Sequence, residues 1–152
     1  MEALAVLILT FVISILLCRI KKVRMPIPYS GRLAMACMLV LTGTGHFLFT
    51  EGMMLMLPEY IPARKAIVLF TGIFEFAAAL MLLIPKYRVV TGWVLIVFFV
   101  LALPCNIYAA IHNADLHTAT YDGAGLPYLW FRIPLQLFFI AWVCLFILKK
   151  NT

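Results

Sequence analysis

Residues 65–84, KAIVLFTGIFEFAAALMLLI, form an apolar run that carries a carboxyl near its middle, at Glu75. About 20 mostly apolar residues cover the roughly 30 Å hydrocarbon layer of a bilayer. An ionisable group at the centre of such a helix costs on the order of 2.5–3.5 kcal/mol on insertion scales, so it belongs against protein, beside a partner, and marks a candidate site. Other apolar runs carry His46, Asn106, Arg132 and Gln136. A carboxyl and an imidazole exchange protons, which makes Glu75 and His46 the candidate catalytic groups. Carboxamides hydrogen-bond in both directions, and a guanidinium has no acceptor of its own and requires an anion. Together His46, Glu75, Asn106, Arg132 and Gln136 form a candidate ligand-binding set. Glu75 is expected to pair with Arg132 or His46, with Asn106 and Gln136 supplying hydrogen bonds.

Other chemistry has less support. Cys18, Cys37, Cys105 and Cys144 fall one per apolar segment, with neither a C-x-x-C pair nor zinc spacing, and read as small apolar fillers. His112, Asp115 and His117 could bind a metal only weakly, and His46 with Glu75 is one or two ligands short of a usual site. No metal is therefore expected. No nucleophile stands beside a base, and there is neither a phosphate-cradling glycine loop nor a zinc-protease motif. Met53, Met54 and Met56 read as adaptable packing. Gly43 and Gly45, with Thr42 and Thr44, suit close contact between helices.

The elements that must hold these groups follow from composition. The chain has 152 residues, 66% hydrophobic and 12% charged, against about 45–50% and about 25% in soluble domains. It reads as an all-α integral membrane protein. Its net charge of +6 comes from Lys and Arg at segment ends, without the basic stripe that nucleic acid requires. Five spans are expected, at 4–18, 33–55, 65–84, 89–111 and 129–148. Glu2 precedes the first and Arg19, Lys21, Lys22 and Arg24 follow it. That order is the reverse of a signal peptide's, so the span is retained. Pro58, Pro62 and Pro85 stop helices, and Pro104 should kink the fourth span near residues 102–106. The polar connection 112–128 is long enough to be a lid or binding loop. The organisation expected is a helix with a basic linker over 1–24 and a four-helix membrane domain over 33–148, one domain overall.

Alternation of the spans puts Arg19, Lys21, Lys22, Arg24, Arg32, Lys86, Arg88, Lys149 and Lys150 on one side. The positive-inside rule makes that side cytoplasmic, with the N-terminus outside and the C-terminus inside. A bacterial inner membrane is the expected location. At a rise of about 1.5 Å per residue, all five polar side chains fall between the midplane and the outer face. The cytoplasmic half holds no comparable set, which weighs against a transporter or proton channel.

TGTGHF at 42–47, MMLMLPEYIP at 53–62, TGIFEFAAALMLLIP at 71–85, LPCNIYAA at 103–110 and LWFRIPLQLFFIAW at 129–142 resemble the DoxX and DoxX-like family of small membrane proteins. The resemblance covers about residues 33–148 and implies a four-helix membrane bundle, with the first span as an N-terminal addition. It implies that the shared polar positions are His46, Glu75, Asn106, Arg132 and Gln136. Members of that family are linked to respiratory or redox complexes, including a thiosulfate to quinone oxidoreductase subunit, and a more distant similarity reaches an animal chaperone of nicotinic receptors. Fold analogy raises a prior and does not fix chemistry.

Two functions are expected from these observations. In the first, a pocket between the helices opens to the outer leaflet and takes a quinone or another amphipathic molecule. There Glu75 exchanges a proton at a carbonyl oxygen, His46 assists and Arg132 polarises the second oxygen, so that quinone is the expected cofactor. In the second, the chain is a non-catalytic accessory or chaperone subunit and the polar cluster is a structural lock. Its partners would be the bilayer, a membrane oxidoreductase or a second copy of the chain. Whether it is an enzyme depends on which reading holds.

Overall fold

Apolar runs separated by proline and charge become helices α1 (Glu2–Ile20), α2 (Ile27–Leu48), α3 (Thr50–Leu55), α4 (Arg64–Leu83), α5 (Arg88–Ile111) and α6 (Pro127–Val143), the last continued by a π-helical turn over Cys144–Leu148. The structure, a computed structural model, describes residues 2–20 and 27–149. Among them there is no strand. Five helices, at Glu2–Ile20, Ile27–Leu48, Arg64–Leu83, Arg88–Ile111 and Pro127–Leu148, are long and apolar enough to cross a membrane. Lys21, Lys22, Arg24 and Lys150, used above to orient the chain, lie outside the described residues.

The second span is placed differently from expectation at both ends. It starts at Ile27 rather than at residue 33, so Ser30, Gly31 and Arg32 are helical and buried. Pro28 is no obstacle, because a helix's first turn leaves its N–H groups without intrahelical partners and tolerates a residue that has none. At the other end the helix stops at Leu48, and Phe49 leaves helical geometry with φ −115° and ψ 33°. The Thr50 hydroxyl donates to the carbonyls of His46, at 2.7 Å, and Phe47, at 3.1 Å. Such back-bonding competes with the backbone ladder and bends helices. The short α3 follows the bend. In α5, by contrast, helical structure passes through Pro104 without a break.

Consecutive long helices run antiparallel, and α2 is the central one, against α1, α4 and the C-terminal turn. Its inner face contributes Met35, Met38 and Leu39 to a core completed by Leu82, Leu95 and Ile147. The first helix docks on this assembly through Phe11, whose ring lies 5.0 Å from that of Trp142 and 5.2 Å from that of Phe146. Ser14 also donates to Ser30 at 2.9 Å in the α1–α2 contact. Trp142 donates from Nε1 to the Gly31 carbonyl at 3.0 Å, tying the last helix to the start of α2.

The connection between α5 and α6 is a built cap at one end of the bundle. Asp115 Oδ1 accepts from the backbone N–H groups of His117, at 2.7 Å, and Thr118, at 2.9 Å. The Asp115 N–H donates to the Thr120 carbonyl at 2.8 Å, and Gly123 N–H to the Asn113 carbonyl at 2.7 Å. The cap rests on α3 through Gly52, where any side chain would strike the Leu116 carbonyl. His117 meets Phe49 edge-on, with ring centroids 4.8 Å apart.

Candidate functional site

Close approach of α2 and α4 is what creates the site. A β-carbon on Gly43 would stand 3.2 Å from the Gly72 carbonyl oxygen, and one on Gly72 would stand 3.2 Å from that of Gly43. Small residues let helix backbones meet in this way. Each glycine sits in a matching pattern, T-G-x-x-H at 42–46 and T-G-x-x-E at 71–75. Because the helices are antiparallel, the two patterns face each other inverted. The result is that His46 approaches Thr71, while Glu75 approaches Thr42.

Glu75 is only 5% exposed, and its Oε2 is buried without a hydrogen-bond partner. His46 Nε2 stands 3.8 Å from that oxygen, beyond the roughly 3.2 Å limit of an N–H to O hydrogen bond. The Thr42 hydroxyl spends its one proton on the carbonyls of Met38 and Leu39, both at 3.2 Å. Such an orphaned buried acceptor is rare in folded proteins and calls for an explanation.

The far side of the imidazole fixes its tautomer. His46 Nδ1 lies 2.9 Å from the Val68 carbonyl and 3.0 Å from Thr71 Oγ1. Thr71 spends its own proton on the carbonyl of Val68, at 2.8 Å, or of Ile67, at 3.1 Å. A carbonyl can only accept, so Nδ1 carries the hydrogen and, in the neutral ring, Nε2 is a bare lone pair. With Glu75 ionised, two acceptors face each other across the helix crossing. The pair is one hydrogen short, and a proton on either group or the hydroxyl of an incoming molecule would supply it. The His46 side chain keeps 16% exposure against 7% for Glu75, so the imidazole is the more accessible of the two.

The other expected members do not join this pair. Arg132 forms no ion pair with Glu75; its Nε donates to the Tyr128 hydroxyl and its guanidinium carbon lies 4.9 Å from that ring's centroid. Tyr128 is one turn earlier on the same helix, so the guanidinium found a local partner. Gln136 is buried and donates to the Phe99 carbonyl at 2.6 Å. That carbonyl is next in the chain to the one of Val100, whose helical donor is missing at Pro104, so the amide serves the α5–α6 contact. Asn106 is half-buried, and its carboxamide bonds to none of the other four. The expectation of one five-membered cluster is thus corrected to a two-membered site with local satisfaction elsewhere.

Thr71 and Gly72 are the contributors that residue-type reasoning missed, and Thr42 was expected only to suit close contact between helices. Their signal was the repeated T-G, with each threonine four residues ahead of an ionisable group, which places threonine and acid or base on one helical face. Among the described residues no three His, Cys, Asp or Glu side chains converge as a metal site. His112 instead stacks on Tyr108, at 4.0 Å between centroids.

Two clefts open elsewhere. One, of about 290 Å³, lies where α3, the start of α4 and the cap meet, with Glu51, Lys65 and His117 among its walls. The other, of about 520 Å³, is apolar and runs along α6 beside Trp130 and Pro134. Neither is lined by Glu75 or His46.

The chain matches no curated protein and no solved structure. Residues 35–147 match the family described as a domain of unknown function, DUF8561. The match includes all five polar positions and begins within α2. The chain belongs to the DUF8561 family.

Proposed function

We propose that the protein is an inner-membrane protein of five spans, N-terminus outside, that binds an amphipathic small molecule at His46 and Glu75 as part of a membrane redox system. The observation that carries this reading is the buried Glu75 Oε2, unpartnered and facing a bare imidazole nitrogen. A lock between two helices would be expected to close its own hydrogen bonds, because an unsatisfied buried polar atom costs about 1–3 kcal/mol. This pair instead leaves one buried acceptor without a donor. A quinol or similar hydroxylic head group fits that need, with its hydroxyl donating to Glu75 and its apolar body lying against lipid. Proton transfer from that hydroxyl to the pair balances by itself: the O–H bond breaks as an O–H or N–H bond forms on Glu75 or His46. Kinship with the DoxX-like proteins is part of the same proposal and rests on the motifs at 42–47, 71–85 and 129–142.

Titration of the purified protein with a soluble quinol, compared with Glu75→Gln, tests the site. Binding that is unchanged in the variant removes the role of the carboxyl. A second reading, an accessory subunit that holds a larger membrane partner, is favoured by one feature. The groove on α6 is almost wholly apolar and Trp130 on it is 86% exposed. Recovery of a stoichiometric oxidoreductase in mild detergent, with no quinol binding, would establish that reading in place of the first.

A further inference from the structure

The end of the bundle away from the cap has an excess of positive charge, with no acidic side chain beside it among the described residues. Arg32 lies in the first turns of α2 and is only 7% exposed. Its single hydrogen bond among the described residues is a long one, from Nε to the Pro28 carbonyl at 3.4 Å. The Tyr29 ring lies 5.4 Å from the guanidinium, and Arg88 opens α5.

No carboxylate side chain of this chain is placed to help. The acids are Glu2, Glu51, Glu59, Glu75, Asp115 and Asp122. Glu2 begins α1, Glu51 is in α3 and Glu75 is mid-way along α4, while the others lie in the connections at the cap end. Two helix starts converge at the basic end, because both Gly31 of α2 and Gly92 of α5 lie against the last turn. A side chain on Gly31 would strike Phe146, and one on Gly92 would come within 2.9 Å of Ile147 and Leu148. Lys149 follows directly. Each helix N-terminus adds a partial positive charge and free N–H groups, the usual setting for an anion. A guanidinium on a residue so little exposed favours an anion beside it. Among the described residues no acid stands beside Arg32, which leaves a place for an anion.

We infer that Arg32 and Arg88 hold the phosphate group of an anionic phospholipid from the cytoplasmic leaflet. The inference uses only the membrane part of the reading above and is independent of any ligand at Glu75. Phosphate is the chemistry that fits, since guanidinium groups grip it in a bidentate fork. A lipid is the source that fits, because these residues stand at helix ends where headgroup phosphates lie, and basic pockets between spans on this side take such headgroups.

Thermal unfolding of the delipidated protein in neutral detergent tests this, with phosphatidylglycerol, phosphatidylcholine or inorganic phosphate added. Phosphatidylglycerol at about a hundred times its Kd should raise the midpoint on the order of 5–10 °C, and phosphatidylcholine should not. Arg32→Gln should lose that rise, and Arg88→Gln, at a half-buried position, should lose most of it. If Arg32→Gln does not fold, Arg88→Gln alone decides, and a full rise in that variant overturns the proposal. An equal rise with phosphatidylcholine also overturns it. A rise of the same size with inorganic phosphate overturns the lipid and assigns a free anion. Glu75→Gln should leave the lipid effect intact, so failure at one site is separable from failure at the other.

Discussion

Gly43 and Gly72 approach each other reciprocally, each presenting its carbonyl oxygen 3.2 Å from where the other's β-carbon would be. The reciprocity matters because His46 and Glu75 follow their glycines by the same three positions. Any widening of the crossing separates the acid from the base. The two glycines are not equally replaceable. A methyl on Gly72 would also lie 2.8 Å from His46 Cβ, whereas the nearest side-chain contact of one on Gly43 is Phe76 at 3.3 Å. Gly72→Ala should destabilise by about 1–3 kcal/mol, the usual cost of overpacking, and Gly43→Ala by less. Thermal unfolding in detergent checks the order, and equal midpoints would contradict the packing described.

The missing hydrogen between His46 and Glu75 makes an unusual prediction for Glu75→Gln. The amide nitrogen would offer a donor to the bare Nε2, so the variant should match or exceed the native protein's stability, by up to about 1 kcal/mol. Glu75→Leu supplies no donor and should not gain. Quinol affinity should nevertheless fall at least about tenfold in Glu75→Gln, equivalent to roughly 1.4 kcal/mol. A destabilised Glu75→Gln with unchanged affinity would show that the carboxylate is a lock and not a site.

Arg132 should be silent at that site. Its guanidinium is satisfied one turn away, by the hydroxyl and ring of Tyr128. Tyr128→Phe keeps the stacking and removes the hydrogen bond, so the change in stability should stay under about 1.5 kcal/mol. Arg132→Gln should leave quinol affinity at the native value in the same titration. A loss comparable to that of Glu75→Gln would restore Arg132 to the binding set.

The number of helices long and apolar enough to cross a membrane and the presence of a mid-helix carboxyl near a basic side chain were legible in the chain, because hydrophobic length and isolated polar residues are strong signals. The partner's identity was not. Depth along an axis places Arg132 and His46 at similar levels, but it does not say which face each helix turns inward. Tyr128, four residues before Arg132, was the overlooked local competitor. The start of α2 was misplaced for a related reason: Arg32 looked like a flanking charge, yet its helix buries it. Composition also hid the inverted T-G repeat, since the alignment of two antiparallel helices appears only when they are packed.

Asp115 carries the one pH dependence that the cap should show. Its carboxylate accepts the backbone N–H groups of Thr118 and His117, which hold its pKa below the usual aspartate value. A depressed folded-state pKa means that the order it contributes is fully present above the unfolded value, about 3.9. That order is lost as pH falls through the lower folded value. Amide hydrogen exchange at His117 and Thr118 should therefore show protection that is constant from neutral pH to about 5 and declines in acid below about 4, after correction for intrinsic rates. Asp115→Ala should lose the protection at all pH values. Asp115→Asn, which keeps an oxygen acceptor without the charge, should retain part of it and lose the acid transition. Protection in Asp115→Ala equal to native would mean that the cap is held by Leu116 on Gly52 and His117 on Phe49 alone.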